Sequence, residues 1–167
     1  MGDLLVRRAR TSDVKIIREL IDEYTEQRIL LSKATVTLYE DVQEFVVAEL
    51  DGEVVGCGAL HVLWEDLAEV RTLAVHQDLR GRGIGGKLLR QLLDTARAVG
   101  VKRVFTLTFE VDFFASHGFA EIEGTPVSHE VYEELLQSYD EGVAEFLDLE
   151  RVKPSTLGNT RMLLNFS

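Results

Sequence analysis

Thirteen residues carry the densest chemistry in this sequence: Leu73-Ala74-Val75-His76-Gln77-Asp78-Leu79-Arg80-Gly81-Arg82-Gly83-Ile84-Gly85. An apolar strand ends near Val75, a short turn follows, and an amphipathic helix begins directly after the glycines. Glycine lets a ligand approach the backbone closely and permits positive φ. The N–H groups of a first helical turn have no intrahelical acceptor, and with the helix dipole they favour an anion. Arg80 and Arg82 add charge suited to forked contacts with phosphate. The simplest reading is a cradle for a pyrophosphate; the alternative is a helix start whose glycines serve packing alone. A Walker loop does not fit, since Gly86-Lys87 is followed by Leu88 rather than Ser or Thr.

Composition narrows the classes. A length of 167 residues suits one domain, residues 1–167, and an apolar share of 46% is ordinary for a globular protein. No apolar run reaches the roughly 18 residues of a membrane span. The start lacks a secretory layout, and Gly2 lacks the Ser or Thr of a myristoylation signal. The one cysteine, Cys57, cannot form an internal disulfide, and no zinc-ligand spacing exists. We read Cys57 as packing and expect a reducing cytoplasm. A formal charge of −11 argues against nucleic acid as a partner. The acid is concentrated from Glu130 to Glu150, which reads as a solvated face. His61, His76, His117 and His129 have no metal spacing, and no metal is expected.

The elements that must position the loop follow from periodicity. Leu4 and Val6 mark an edge-like strand. Thr11-Ser12-Asp13 can start a helix whose stripe is Val14, Ile17, Leu20, Ile21 and Tyr24. A weaker helix covers Thr35 to Gln43. Phe45 to Leu50 and Val54 to Leu63 form a hairpin across Asp51-Gly52. The strand from Ala68 to His76 leads into the loop. The following helix turns Ile84, Leu88, Leu92 and Ala96 inward and stops at Gly100. Then come a strand over Arg103 to Phe109, a short helix over Glu110 to His117, and a strand around Phe119 to Ile122. A helix capped by Ser128 and a strand from Arg161 to Phe166 complete the chain. This order predicts an α/β fold with a mixed, mostly antiparallel central sheet and helices on both faces.

The loop, read as Arg80, Gly83, Gly85, resembles the acyl-CoA loop of the GNAT acetyltransferase superfamily, and Phe113 to Phe119 resembles that family's short helix ending in Gly-Phe. The element order is also the GNAT order. Within the superfamily the chain is most similar to the acetyltransferase domain of N-acetylglutamate synthase, above all the short stand-alone bacterial kind. Ile29-Leu30-Leu31-Ser32-Lys33, Val55-Gly56-Cys57-Gly58-Ala59-Leu60-His61, Glu69-Val70-Arg71-Thr72, Val104 to Thr108 and Thr156 to Leu164 carry that likeness. It implies acetyl transfer from acetyl-CoA to the α-amine of L-glutamate or L-glutamine, the first step of arginine biosynthesis. Longer members carry an amino-acid-kinase-like domain in front, for which this sequence has no room, so arginine feedback through that domain is in doubt.

The resemblance also assigns roles. Glu69 is the candidate base, acting directly or through a water. Its pairing with Arg71 is the competing reading. Val75 is the candidate oxyanion donor through its backbone N–H. The backbone of Leu73, Ala74 and Val75 would align the pantetheine arm, and Arg80, Gly81, Arg82, Gly83, Ile84 and Gly85 would hold the pyrophosphate. Lys33, Arg71, Thr72 and Arg161 are candidates for the acceptor carboxylates, with a solvated role for Lys33 and Arg161 as the alternative. Where many members place a Tyr acid, this chain has Phe114. Thr108 and Ser116 are the nearby hydroxyls, and no acid is assigned, because a thiol of pKa near 8.5 can leave at neutral pH. Ser32 stands where the synthases with the extra domain have Arg, which leaves glutamate against glutamine undecided. The expected partner is a small-molecule amino acid, with no nucleic acid or membrane partner; the helices after Ser128 are compatible with a homodimer. The competing functions are a GNAT acting on protein N-termini or lysines, and an acetyl-CoA sensor without turnover.

Overall fold

The computed structural model describes residues 2–26, 34–149 and 158–166. Seven strands form one sheet: β1 (Leu4–Arg8), β2 (Phe45–Leu50), β3 (Glu53–Trp64), β4 (Leu67–Val75), β5 (Arg103–Thr108), β6 (Ala120–Glu121) and β7 (Thr160–Asn165). Their order is β1-β2-β3-β4-β5-β7-β6. β1–β2, β2–β3, β5–β7 and β6–β7 pair antiparallel, whereas β4 and β5 are parallel, from Leu67 opposite Arg103 to Glu69 opposite Phe105. The expected α/β class with a mostly antiparallel sheet is therefore the observed one. The chain divides into two compact units, Met1–His61 with Val70–Val99, and Val62–Glu69 with Gly100–Ser167.

In the first unit, α1 (Val14–Glu26) buries the stripe Val14, Ile17, Leu20, Ile21 and Tyr24. That stripe packs with Leu38 of α2 (Thr35–Glu40) and with Phe45, Val47, Cys57, Ala59 and Ala74 from the strands. The second predicted helix is shorter than expected: α2 stops at Glu40, and a 3-10 turn over Val42–Glu44 takes the chain into β2. Thr11–Asp13 is a 3-10 turn rather than a plain helix cap. Its Asp13 carboxylate accepts the Arg10 N–H at 2.7 Å and a two-pronged contact from Arg7. α3 (Ile84–Val99) turns Ile84, Leu88, Leu92 and Ala96 inward, as the 3.6-residue period dictates.

The second unit contains the short helices α4 (Val111–Ala115), α5 (His129–Leu135) and α6 (Glu141–Phe146). Ser128 caps α5 by accepting the Val131 N–H. The acidic stretch is not simply a solvated face, because Val143, Ala144, Phe146 and Leu147 are buried and the Phe146 ring meets Phe105 edge-on at 4.8 Å. The carboxylates sit on one side of a short amphipathic helix, and the apolar side is core. No helix among the described residues is long and apolar enough to cross a membrane.

Candidate active site

The first unit holds the glycine loop. β4 ends at Val75, a 3-10 turn spans Gln77–Leu79, and α3 starts at Ile84. Gly81 and Gly83 take φ of +81° and +82°, values that L side chains rarely adopt, and a Cβ at either would project into open space. That clearance is what a ligand pressed against the loop backbone requires. Ile84 is buried and anchors the first turn of α3, and the Lys87 N–H already reaches the Gly83 carbonyl at 3.2 Å. The guanidinium of Arg80 lies 6.0 Å from the centre of the Tyr24 ring, within cation–π range.

The strand before the loop is distorted in a definite way. Thr72 sits at φ +57°, a left-handed conformation unusual for a β-branched residue. The Cys57 thiol donates to the Thr72 carbonyl at 3.5 Å. Burial pushes that thiol up to about 12, with the Ala74 backbone opposing, so Cys57 stays protonated and packs rather than reacts. Arg71 and Thr72 are both buried, at 8% and 9% exposure.

The second unit holds Glu69, 4% exposed, opposite Phe105 in the parallel ladder. Arg161 of β7 is fixed by backbone carbonyls: Nε donates to Gly124 at 2.8 Å, Nη1 to Glu145 at 3.3 Å, and Nη2 to Phe146. Its guanidinium carbon also lies 4.9 Å from the Phe105 ring centre. Burial lowers the pKa of Arg161 from the ordinary guanidinium value, while the charges of Asp148 and Glu69 oppose that shift. Arg161 is thus neither a solvated strand-edge residue nor an uncommitted carboxylate fork. Lys33 lies outside the described residues.

Residues 14–124 match the model of the acetyltransferase (GNAT) family. The chain belongs to the GNAT acetyltransferase family. It is 62% identical over 163 residues to the amino-acid acetyltransferase of Mycobacterium tuberculosis, a match covering 96% of this chain and 93% of that one. The crystal structure of Rv2747 from Mycobacterium tuberculosis in complex with CoA and NLQ superposes with a TM-score of 0.95 at 61% identity, over 98% of this chain and 99% of that chain. N-acetylglutamate synthase from Neisseria gonorrhoeae, complexed with coenzyme A and N-acetyl-glutamate, gives a TM-score of 0.78 at 25% identity. There all of this chain covers 36% of the longer one. The amino-acid acetyltransferase character follows from these likenesses.

As a GNAT acetyltransferase, the chain departs at the short helix. Phe114 is 4% exposed and packs edge-on against Phe119 at 5.2 Å. The two nearby hydroxyls have local tasks. Thr108 Oγ1 accepts the Glu110 N–H at 2.8 Å, and the Ser116 hydroxyl donates to the Phe113 carbonyl at 2.6 Å. Among the described residues no group of three or more His, Cys, Asp or Glu is arranged to hold a metal ion. His61 pairs with Glu44 at 2.9 Å. One residue near the loop escaped the sequence reading as anything but core: the Tyr24 hydroxyl donates to the Val75 carbonyl at 2.5 Å. Helical periodicity marks an inward position but does not distinguish a phenol that packs from one that also bonds.

Proposed function

We propose that this acetyltransferase moves the acetyl group of acetyl-CoA to the α-amine of L-glutamate or L-glutamine, the opening step of arginine biosynthesis, in the cytoplasm. The observation that carries the reading is Glu69. A buried carboxylate stands on β4, six residues before the strand end that opens into the glycine loop, in a chain 62% identical to an amino-acid acetyltransferase. The clearance at Gly81 and Gly83 fits a pyrophosphate, which Arg80, Arg82 and the N–H groups of the loop, Ile84 and Gly85 would hold.

Residues then serve each chemical need except protonation of the leaving thiolate, which falls to water. The acceptor ammonium gives up a proton to Glu69, directly or through one water. The ordinary pKa values of a carboxylate and an ammonium differ by several units, so a relaying water belongs to this step. The amine nitrogen bonds to the thioester carbon. The Val75 N–H stabilises the resulting oxyanion, a contribution of about 3 kcal/mol for a well-aimed donor. The C–S bond breaks, and the second proton of the attacking nitrogen leaves through water, which delivers a proton to the departing thiolate and closes the balance. Leu73 and Ala74 align the pantetheine arm by their backbone. Lys33, Arg71 and Thr72 serve the acceptor carboxylates, and Arg161 contributes charge from its fixed position.

A second reading has one observation behind it. From Val104 to Glu150 the sequence contains no Lys or Arg, so a cationic acceptor such as a protein N-terminus or a lysine would meet an acidic surface. Thiol release from acetyl-CoA separates the two. Release with glutamate or glutamine should fall about 100-fold or more in Glu69→Gln. Arg71→Ala should raise the KM for the amino acid by about tenfold, the loss of a charge-assisted contact. Release with a lysine peptide alone would replace the amino-acid reading with the second one. Acetyl-CoA binding with no release for any acceptor would leave a sensor.

A further inference from the structure

We propose that Tyr24 is a positioning residue that locks the end of β4 to the glycine loop, so that one buried side chain aligns the oxyanion donor and the first cation of the cradle together. The proposal rests on the roles given above to Val75 and Arg80.

The peptide joining Val75 to His76 is held at both ends. Its carbonyl accepts the Tyr24 hydroxyl at 2.5 Å, and its N–H donates to the Val55 carbonyl at 2.8 Å. A peptide unit is planar, so two bonds on opposite edges fix its orientation. Only the φ and ψ of Val75 separate that plane from the Ala74–Val75 peptide, which carries the Val75 N–H. Upstream, the left-handed Thr72 is tied by its carbonyl to Cys57. Strand distortion near a reactive group is useful only when it is held, and between Thr72 and His76 the backbone is pinned at both limits.

The same phenol ring supports Arg80 from below. Tyr24 is 5% exposed and sits in the α1 stripe among Ile17, Leu20 and Ile21. The Arg80 guanidinium lies over its face. The His76-to-Arg80 turn is closed by bonds from Leu79 to His76 and from Arg80 to Gln77, so the pinned peptide and the supported cation bracket one tight turn. A core phenylalanine would fill the same volume and support the ring contact, but it could not hold the Val75 carbonyl. The hydroxyl and the ring therefore do separable work.

The test uses the full chain and four variants: Tyr24→Phe, Tyr24→Leu, Arg80→Ala, and Tyr24→Leu with Arg80→Ala. Tyr24→Phe should lower kcat about tenfold, the scale of one ordinary hydrogen bond, with the KM for acetyl-CoA held within about twofold. Tyr24→Leu should lower kcat similarly and also weaken CoA binding, measured by calorimetry. In the double variant the loss of CoA affinity should be smaller than the product of the two single losses, because the ring acts through Arg80. Wild-type kcat in Tyr24→Phe with only a lower Tm would overturn the hydroxyl's role. Independent multiplication of the two affinity losses would overturn the ring's role. If the wild-type chain turns over no amino acid, the functional reading falls by itself, and the CoA-affinity cycle still decides for or against Tyr24 as the support of the loop.

Discussion

The glycine loop of the first unit and the Arg161 neighbourhood of the second solve opposite problems. In the loop the donors are backbone N–H groups, and the residues that shape them are contiguous, from Arg80 to Gly85. At Arg161 the donors belong to one side chain, and the acceptors are the carbonyls of Gly124, Glu145 and Phe146, 37, 16 and 15 residues away in sequence. A site made by backbone conformation leaves its pattern in neighbouring residue types. A site made by one long side chain leaves only a lone arginine in a strand. The difference also predicts how each will fail, since the loop loses ligand affinity when strained and the arginine loses structure when cut.

The largest effect is expected at Arg161. Arg161→Met keeps the apolar stem but removes donors from the part-buried carbonyls of Glu145 and Phe146 and from the exposed Gly124 carbonyl, and it loses the ring contact with Phe105. Each part-buried carbonyl left without its donor costs about 1 kcal/mol, while water satisfies the exposed one, so urea unfolding should show a loss of about 2 kcal/mol. Hydrogen exchange should rise around α6 while CoA affinity stays unchanged. Arg161→Lys should not rescue the loss, because an ammonium cannot reach three carbonyls in one plane. Full stability in Arg161→Met would return Arg161 to an ordinary strand residue.

Gly83→Ala tests the other side with a smaller effect. Nothing lies within contact of the added Cβ, so the only cost is the left-handed backbone at φ +82°. That cost is about 1 kcal/mol. It should appear as a fivefold to tenfold loss of CoA affinity if the loop relaxes, or as a matching loss of stability if the loop holds. Neither loss would mean that the loop conformation is not what the ligand reads.

Legibility follows the same division. The loop, the α1 and α3 stripes, the Asp51-Gly52 hairpin and the Ser128 cap were all readable, because each is written over a few adjacent residues with one period. α6 was not, because its acidic side dominates the composition and its apolar side contains only Val143, Ala144, Phe146 and Leu147. Its burial is decided by Phe105, 41 residues upstream of Phe146 in the chain. The Arg161 clamp escaped for the same reason, and so did the Tyr24 hydroxyl: their partners are set by tertiary packing, which no local spacing records. Thr72 could be named from resemblance to a family stretch, but its positive φ could not, since β-branched residues ordinarily favour the extended strand region.

A third effect, read through pH, sharpens the contrast between two half-buried arginines. Arg7 in the first unit is paired with carboxylates, 2.8 Å to Asp13 and 2.8 Å to Glu49, and those bonds hold its pKa above the ordinary value. Arg161, bonded to neutral carbonyls, is shifted the other way. Carboxylates titrate and carbonyls do not, so the first arrangement should be sensitive to acid through its partners. The Arg7 guanidinium, with the Arg10 N–H, holds Asp13 below the ordinary carboxylate range against the opposing effect of burial. A depressed folded pKa means that the unfolded state takes up the proton first. Asp13 therefore contributes its full stabilisation above the unfolded value of about 3.9, and that contribution is lost as the pH falls through the lower folded value. Asp13→Asn cannot titrate. At neutral pH it should be less stable than the wild type by about 1–2 kcal/mol, the scale of a charge-assisted hydrogen bond. Urea midpoints taken from pH 6 downwards should keep the two proteins apart until about pH 4 and then bring them together, because the wild type loses what the variant never had. Curves that stay parallel through the acid range would show that Asp13 is not what stabilises Arg7, and would remove the electrostatic basis for treating the two arginines as different kinds of anchor.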